Sequence, residues 1–279
     1  RFHTTFRIGG PADLLFYPRN TDEVQKIICM AKEYGEPITL LGNGSNILVR
    51  DGGIRGLVIR FGRKMADIRR EGTDIIVGAG ALLRDVAAFA QKNSLSGLEF
   101  ACGIPGSIGG AIFMNAGAYD GEIKEVLDKV KVMDKEGKVL SLNAGELDLS
   151  YRHSNIEEKG YIVLEAKFNL KKADKSAIWK KMQELMARRI DKQPLNFPSA
   201  GSTFKRPEGY FAGKLIDDAG LRGYSIGGAK VSDKHCGFIV NADKASAEDV
   251  YALITYVRLK VKEKFDVELE PELRVLGEF

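Results

Sequence analysis

The sequence predicts an α+β fold, a mixture of helices and strands that begins with an α/β unit. Three observations predict it. Strand, helix and strand signals alternate before residue 62, which favours an α/β unit. Strand signals dominate residues 63–170, and two long amphipathic helices follow in residues 171–279. We therefore expect three segments, 1–62, 63–170 and 171–279, with a charged junction at 171–177.

The first segment contains one helix and several short strands. Asn20 or Thr21 caps an amphipathic helix, and Gly35 ends it. The apolar face of this helix comprises Val24, Ile27, Ile28 and Ala31. Short apolar strands are expected at 37–42, 47–49 and 56–61, and a GNGSN turn separates the first two.

The middle segment is expected to be mostly strands. IIVGAG at 75–80 predicts a strand, and an apolar face from Leu83 to Ala90 predicts a helix. A β-hairpin is expected around the KEGK turn at Lys135–Lys138, followed by a long strand at 160–170.

The last segment combines two helices with a terminal strand. The first helix has an apolar face that comprises Ile178, Met182, Leu185, Met186 and Ile190. Ser246 and Asp249 have the spacing of a capping box at the start of the second. ELEPELRVLG at 268–277 reads as a strand, which we expect to return to the first part of the fold.

Composition excludes several classes of function. The 42 Lys and Arg nearly balance the 38 Asp and Glu, which gives no basis for nucleic-acid binding. No apolar stretch is long enough to span a membrane. Three cysteines without a CxxC pair indicate free thiols and the cytoplasm, and the three histidines lack metal-ligand spacing. Because the chain begins at Arg1, the sequence leaves open whether a targeting segment precedes it.

The most informative stretch is GIPGSIGGAIFMNAGAYDG at 103–121. It holds six glycines, too many for a regular packed helix or strand, together with large apolar residues that a solvated linker would lack. A buried loop that approaches a ligand closely satisfies both features. Backbone N–H groups of such a loop can hold a phosphate.

The GNGSN turn at 42–46 supports the same interpretation. It follows a strand, but Ile47 stands where a Rossmann fingerprint needs its third glycine, and no Walker motif occurs. Alone, this turn is more often an ordinary tight turn than a phosphate site. Together with the run at 103–121, it favours two glycine-rich turns that face one diphosphate.

Ordered motifs along the whole chain resemble one flavoenzyme family. The family resembled is the UDP-N-acetylenolpyruvoylglucosamine reductases, whose motifs occur here in the same order: HTTFRIGGPAD, LLGNGSNILVRDGG, GLEFACGIPGSIGGAIFMNAGAYDGEI, LSYRHS, AGSTFKRP and ELEPELRVLG. These reductases belong to the flavoproteins typified by vanillyl-alcohol oxidase. The resemblance implies a two-part FAD-binding half, 1–62 and 63–170, and a C-terminal α+β substrate domain, 171–279. The short stretch between Leu170 and Ser202 implies the shorter subtype, which lacks an inserted tyrosine loop.

The resemblance also implies a reaction. A monomer with non-covalent FAD would use NADPH to reduce UDP-N-acetylglucosamine enolpyruvate to UDP-N-acetylmuramate, a peptidoglycan precursor. The implied cofactor-binding residues are Gly42, Asn43, Gly44, Ser45, Asn46, Gly80, Gly103, Ile104, Pro105, Gly106, Ser107, Gly109, Gly110, Asn115, Gly117 and Arg274. No partner nucleic acid, membrane or metal is implied.

Three implied catalytic residues have ordinary alternative explanations. The resemblance makes Ser202 the proton donor, and it makes Arg152 and Glu272 the groups that stabilise charge on the substrate carboxylate. In isolation, Arg152 reads as a surface residue, and Glu270 is as well placed as Glu272 on one face of the expected strand. The implied substrate contacts are Lys192, Lys205, Arg206, Lys214 and His235.

Two other functions stay open at this stage. One is an FAD-dependent oxidase or dehydrogenase that acts on an alcohol or lactone, in which Cys102 is the candidate for a covalent flavin link. The other is a nucleotide-binding module without catalysis. A covalently attached flavin would favour the oxidase or dehydrogenase, and the absence of bound flavin would favour the nucleotide-binding module.

Overall fold

The structure, a computed structural model, describes residues 1–278. The chain forms two compact units. Unit 1 consists of Arg1–Asp13, Gly44–Arg55 and Ile190–Phe279, and unit 2 of Leu14–Asn43 and Gly56–Arg189.

This division differs from the three expected segments. The long helix after residue 171 buries Ile178 and Met182 in the core of unit 2, so it does not open a separate substrate domain. Phe6 and Leu48, from early in the sequence, are buried in the core of unit 1 with residues of the C-terminal part. Each such side chain gains about 1.5–3 kcal/mol on burial, so contacts between distant segments override chain order.

Seven helices and seventeen strands lie among residues 1–278. The helices are α1 (Thr21–Tyr34), α2 (Leu83–Lys92), α3 (Ile108–Phe113), α4 (Ile156–Lys159), α5 (Lys175–Lys192), α6 (Ala212–Asp218) and α7 (Ala247–Phe265). The strands are β1 (Ala12–Phe16), β2 (Ile38–Leu41), β3 (Ile47–Val49), β4 (Ile54–Arg60), β5 (Ile68–Glu71), β6 (Asp74–Gly78), β7 (Leu95–Ser96), β8 (Gly117–Ala118), β9 (Gly121–Glu122), β10 (Leu127–Met133), β11 (Val139–Asn143), β12 (Ile162–Asn169), β13 (Lys171–Lys172), β14 (Ser225–Ile226), β15 (Ala229–Val231), β16 (Ile239–Asn241) and β17 (Arg274–Leu276).

The largest sheet lies in unit 2. Its strand order is β11-β10-β12-β6-β5, and all neighbours in it are antiparallel. Val130 and Val132 of β10 are buried whereas Lys129 and Lys131 are exposed, the alternation expected of a strand with one packed face. A three-stranded sheet, β1-β4-β2, contains the parallel pair of β2 and β4.

Several local predictions are confirmed. The Asn20 side chain accepts a hydrogen bond from the Glu23 N–H at the start of α1, and Gly35 ends the helix in the left-handed conformation. Ser246 and Asp249 form the expected capping box of α7. Strands β10 and β11 form the expected hairpin.

The expectation that the glycine run excludes a packed helix is wrong for residues 108–113. These form α3, in which Ile108 and Ile112 are fully buried. Ser107 caps this helix by accepting a hydrogen bond from the Gly110 N–H. A Cβ at Gly109 would lie 3.3 Å from Ala79 Cβ, so the glycine lets the helix pack closely against the chain after β6.

Unit 1 is built around α7 and α6. Its core includes Leu215 and Ile216 of α6 and Val250, Leu253 and Val257 of α7. The small antiparallel sheet β14-β15-β16 belongs to the same unit. Strand β17 pairs in parallel with β3, within unit 1.

The closing motif is a strand only at β17, so the expectation of a continuous strand over 268–277 is wrong. Pro271 has no N–H to donate to a sheet, and its neighbours bond to the segment 203–205 instead. Of Glu270, Glu272 and Arg274, only Arg274 therefore lies in a strand.

No helix within residues 1–278 combines the length and the apolar character that crossing a membrane requires. In the same residues, no group of three or more His, Cys, Asp and Glu side chains is arranged to hold a metal ion.

Candidate functional site

The first glycine-rich turn, at 42–46, contains backbone N–H groups in unit 1 that donate no hydrogen bond within the described residues. The N–H groups of Gly44, Ser45 and Asn46 donate to no acceptor within residues 1–278. Gly44 has φ of +64°, and a Cβ there would lie 2.1 Å from the His3 carbonyl oxygen, so no other residue fits. Three consecutive backbone N–H groups without an acceptor in the protein form a site suited to an anion such as phosphate.

Thr5 holds this turn, a role that its residue type and spacing did not predict. Its N–H donates to the Gly44 carbonyl at 3.0 Å, and its hydroxyl donates to the Ser199 carbonyl at 2.7 Å. Thr5 therefore links the turn to the loop that carries Ser202. The only signal in the sequence was its place in the HTTFRIGG motif.

In unit 2, the start of the same turn lies on the second glycine-rich loop. The Asn43 side-chain amide donates to the Pro105 carbonyl at 2.5 Å. A Cβ at Gly42 would lie 2.4 Å from Ser107 Oγ, so this approach requires glycine. The two loops that the sequence presents separately thus meet at four of the implied cofactor-binding residues.

The second loop offers fewer free donors than expected. The N–H groups of Ile108 and Gly109 donate to the carbonyls of Ala81 and Ala79, at 2.8 and 2.9 Å. These donors are therefore already used inside the protein. The glycines of α3 therefore serve close packing.

Asn115, expected to bind the cofactor, is fully buried. Its amide donates to the Glu122 carboxylate and the Ser150 carbonyl, both at 2.9 Å, and its carbonyl accepts from the Lys124 N–H. With no exposed surface and these bonds formed, its side chain cannot contact a ligand. Through its hydrogen bond to Ser150, Asn115 instead stabilises the segment that precedes Arg152, a structural role that we call a brace.

Arg152 lies beside the glycine run in unit 2. Its guanidinium donates to the Gly117 carbonyl at 3.2 Å and lies 4.9 Å from the centre of the Tyr151 ring. The residue has φ of +56°, in a turn closed by hydrogen bonds between Ser150 and His153. A non-glycine residue held in this conformation is uncommon, and such positions concentrate at functional sites.

The Ser202 loop is bonded to the Glu272 segment within unit 1. The Glu272 N–H donates to the Thr203 carbonyl, and the Lys205 N–H donates to the Glu270 carbonyl, both at 2.8 Å. The half-buried Ser202 hydroxyl makes no hydrogen bond with residues 1–278. It is therefore available to a ligand.

The two candidate carboxylates, Glu270 and Glu272, lie in different environments. Glu270 pairs with Lys205 at 2.5 Å, and its side chain is 69% exposed. Glu272 is half-buried, and its carbonyl accepts from the Asn46 side chain at 3.1 Å. Asn46 also accepts from the Arg274 N–H, so the first glycine-rich turn is tied directly to the Glu272 segment.

The implied substrate contacts in unit 1 differ in their availability. Lys214 pairs with Asp218, and the Arg206 guanidinium lies 4.0 Å from the centre of the Phe211 ring. Lys192 is exposed and forms no ion pair within residues 1–278.

His235 is the most enclosed of these contacts. Its Nδ1 accepts a hydrogen bond from the Gly237 N–H at 3.1 Å. Burial lowers the pKa of His235, and the positive charges of Arg222 and Lys192 lower it further. The neutral imidazole is therefore the favoured form near pH 7, with Lys192 close enough to act on it electrostatically.

Comparison with known proteins connects these features to one family. A model of the FAD binding domain matches residues 12–143, and a model of the UDP-N-acetylenolpyruvoylglucosamine reductase C-terminal domain matches residues 193–276. The reductase of Agathobacter rectalis is 56% identical over 99% of this chain and 92% of its own length. The chain belongs to the UDP-N-acetylenolpyruvoylglucosamine reductase family. A reductase from Clostridium botulinum is 54% identical over 99% of the chain and 90% of its own length.

A solved structure supports the same assignment. The UDP-N-acetylenolpyruvylglucosamine reductase of Thermus caldophilus matches with a TM-score of 0.87 and 37% identity, over 99% of this chain and 96% of that one. As a member of the reductase family with a matched FAD binding domain, the chain is an FAD-dependent oxidoreductase. The unused N–H groups of Gly44, Ser45 and Asn46 fit the diphosphate of FAD.

Proposed function

We propose that this chain reduces UDP-N-acetylglucosamine enolpyruvate to UDP-N-acetylmuramate with NADPH. The observation that carries the proposal is the 56% identity, over 99% of the chain, to a protein named for this reduction. The reaction adds a hydride and a proton across the carbon–carbon double bond of the enol ether. NADPH becomes NADP⁺, and the enolpyruvyl group becomes a lactyl group. Because the proposed donor is NADPH and the proposed product is a peptidoglycan precursor, we place the reaction in the cytoplasm.

Bound FAD would accept a hydride from NADPH and supply a hydride to the terminal vinyl carbon of the substrate. We assign the diphosphate of FAD to the unused N–H groups of Gly44, Ser45 and Asn46. The loop at 103–110, which Asn43 joins to the first turn, contributes the close backbone approach.

We assign the proton to Ser202. Its hydroxyl is half-buried and makes no hydrogen bond with residues 1–278, so it is free to donate to the carbon beside the substrate carboxylate. A serine is a weak acid unless the alkoxide is stabilised. We propose Lys205 and Arg206 of the same loop for that purpose, Lys205 in exchange for its ion pair with the exposed Glu270.

We assign the substrate carboxylate to Arg152, because a guanidinium forms paired hydrogen bonds with a carboxylate and stabilises charge that develops on it. Glu272 contributes most when protonated, since a protonated carboxyl can donate a hydrogen bond to developing negative charge. Lys192 and His235 are proposed contacts of the UDP group.

FAD is proposed to bind without a covalent link. Cys102 is the candidate for attachment, and burial raises the pKa of its thiol. Its Sγ also lies 3.7 Å from the Met182 carbonyl, to which it donates. A protonated, partly buried thiol is a poor nucleophile, which favours the reductase over a covalent flavin oxidase.

Anaerobic titration of the purified protein tests this function. NADPH should bleach the yellow flavin, and UDP-N-acetylglucosamine enolpyruvate should restore it with formation of UDP-N-acetylmuramate, identified by mass spectrometry. Acid precipitation should leave the colour in the supernatant. Bleaching by an alcohol or lactone, with no response to the enolpyruvyl compound, would contradict the proposal.

A further inference from the structure

Arg189 is a half-buried guanidinium without a hydrogen-bond or ion-pair partner in the described part of the chain. It lies near the end of α5, in unit 2, and forms no hydrogen bond or ion pair within residues 1–278. Its neighbour Arg188 faces solvent and pairs with Glu184 one turn earlier. The two adjacent arginines therefore have opposite environments, although the sequence presents them as an ordinary basic helix end.

The Arg189 side chain lies against the second glycine-rich loop. A Cβ at Gly103 would stand 2.8 Å from Arg189 Cδ and 3.5 Å from its Nε. A Cβ at position 103 would require the Arg189 side chain to shift at its Cδ. Gly103 thus makes room for Arg189, in a loop whose glycines the sequence analysis attributed to the cofactor alone.

No carboxylate among residues 1–278 forms an ion pair with Arg189. Burial lowers the pKa of Arg189, and the ionisable groups that oppose this effect are Tyr119 and Cys102. The Cys102 thiol is uncharged near pH 7, because burial raises its pKa. The guanidinium itself stays protonated at neutral pH because arginine ionises so far above it.

The position at a helix C-terminus does not account for this arrangement. Taking a cation out of water without a counter-charge is strongly unfavourable, and the favourable effect of a helix end is small in comparison. A ligand anion that arrives at the site would supply the missing charge. Arginine suits this role because its planar fork matches phosphate oxygens.

We propose that Arg189 binds the diphosphate of a nucleotide ligand, and that Gly103 is small in order to admit its side chain. FAD, NADPH and the UDP-sugar all carry a diphosphate. NADPH and the UDP-sugar are ligands of the proposed reaction, so for these two the inference rests on the proposed function. Binding of FAD does not depend on that function. Arg152 remains the residue assigned to the substrate carboxylate.

The test compares holoenzyme carrying Arg189→Gln or Arg189→Lys with the matched control Arg188→Gln. Three quantities distinguish the sources of the diphosphate: FAD retained per chain after gel filtration, the NADPH dependence of flavin bleaching, and the dissociation constant of the UDP-sugar. We expect Arg189→Gln to weaken one of these by about 10-fold or more, the effect of losing a charge-assisted hydrogen bond. Arg189→Lys should recover part of the loss, and Arg188→Gln should match the wild type.

Thermal unfolding separates binding from a structural role. For a binding residue, Arg189→Gln should shift the dependence of Tm on the affected ligand to higher concentrations. A structural residue would instead lower Tm equally at every concentration of every ligand.

That uniform drop in Tm, with all three affinities equal to those of Arg188→Gln, would overturn the inference. It would leave the proposed function standing if wild-type protein still reduces the enolpyruvyl compound. If the wild-type protein does not reduce the enolpyruvyl compound, the amount of FAD retained by the Arg189 variants still tests whether Arg189 binds a diphosphate.

Discussion

The Glu272 N–H donates a 2.8 Å hydrogen bond to the Thr203 carbonyl, the residue next to Ser202. A second bond, from the Lys205 N–H to the Glu270 carbonyl, lies on the other side of Pro271. Together they set the register between two segments that are distant in sequence. The proposed proton donor and the proposed carboxylate are thereby held in one unit by backbone bonds that side-chain substitutions leave intact.

Ser202→Ala should affect only one half of the reaction. NADPH should bleach the flavin at the wild-type rate, while the enolpyruvyl substrate should restore it about 10²- to 10⁴-fold more slowly, the usual contribution of a positioned acid. Stopped-flow absorbance measures both rates. Ser199→Ala, in the same loop, is the control and should behave as the wild type. Equal slowing of both halves would remove Ser202 from the role of proton donor.

Glu272→Ala should impair reoxidation far more than Glu270→Ala. Glu270 is engaged with Lys205 at the surface, and such exposed ion pairs contribute about 0–1 kcal/mol, so its removal should leave turnover and Tm nearly unchanged. Single-turnover rates of both variants decide between them. A larger loss from the Glu270 change would mean that the wrong carboxylate has been assigned.

Gly44→Ala should reduce FAD retention. The new Cβ would meet the His3 carbonyl and distort the turn that presents the unused N–H groups. Gly72→Ala is a close control, because Gly72 has φ of +63° with no atom within 4 Å of the added Cβ. Both variants carry the left-handed strain of about 1–2 kcal/mol, but only Gly44→Ala should lose flavin. Equal retention, measured as bound FAD per chain, would argue against the turn as the cofactor site.

Asn115→Ala should destabilise the protein rather than alter the chemistry directly. It leaves the Ser150 carbonyl and the Lys124 N–H without their partner, at roughly 1–3 kcal/mol for each buried group. Urea denaturation should show this loss. Asn196→Ala should not, because the Asn196 side chain is exposed and makes no hydrogen bond within residues 1–278. Unchanged stability of Asn115→Ala would contradict its role as a brace.

Local signals in the sequence were sufficient for the elements that depend on a few neighbouring residues. Asn20 and Gly35 bound α1, and Ser246 and Asp249 begin α7, because caps are satisfied by hydrogen bonds within one turn. The close approach of the glycine run to a ligand stays a prediction. The interpretation of this run as loop alone was wrong because a cap at Ser107 and the burial of Ile108 and Ile112 stabilise α3 despite its glycines.

By itself, the sequence determined the mixed fold, the capped helices, the two glycine-rich turns and, through its ordered motifs, the family. Only the tertiary structure decided which polar groups are still available to a ligand. Asn115 already forms hydrogen bonds inside the protein, Glu270 forms an ion pair with Lys205, and Arg188 forms one with Glu184. Ser202 and Arg189, in contrast, make no hydrogen bond or ion pair within residues 1–278. The physical reason is that hydrogen bonding and burial depend on contacts between distant segments, which residue type and spacing do not specify.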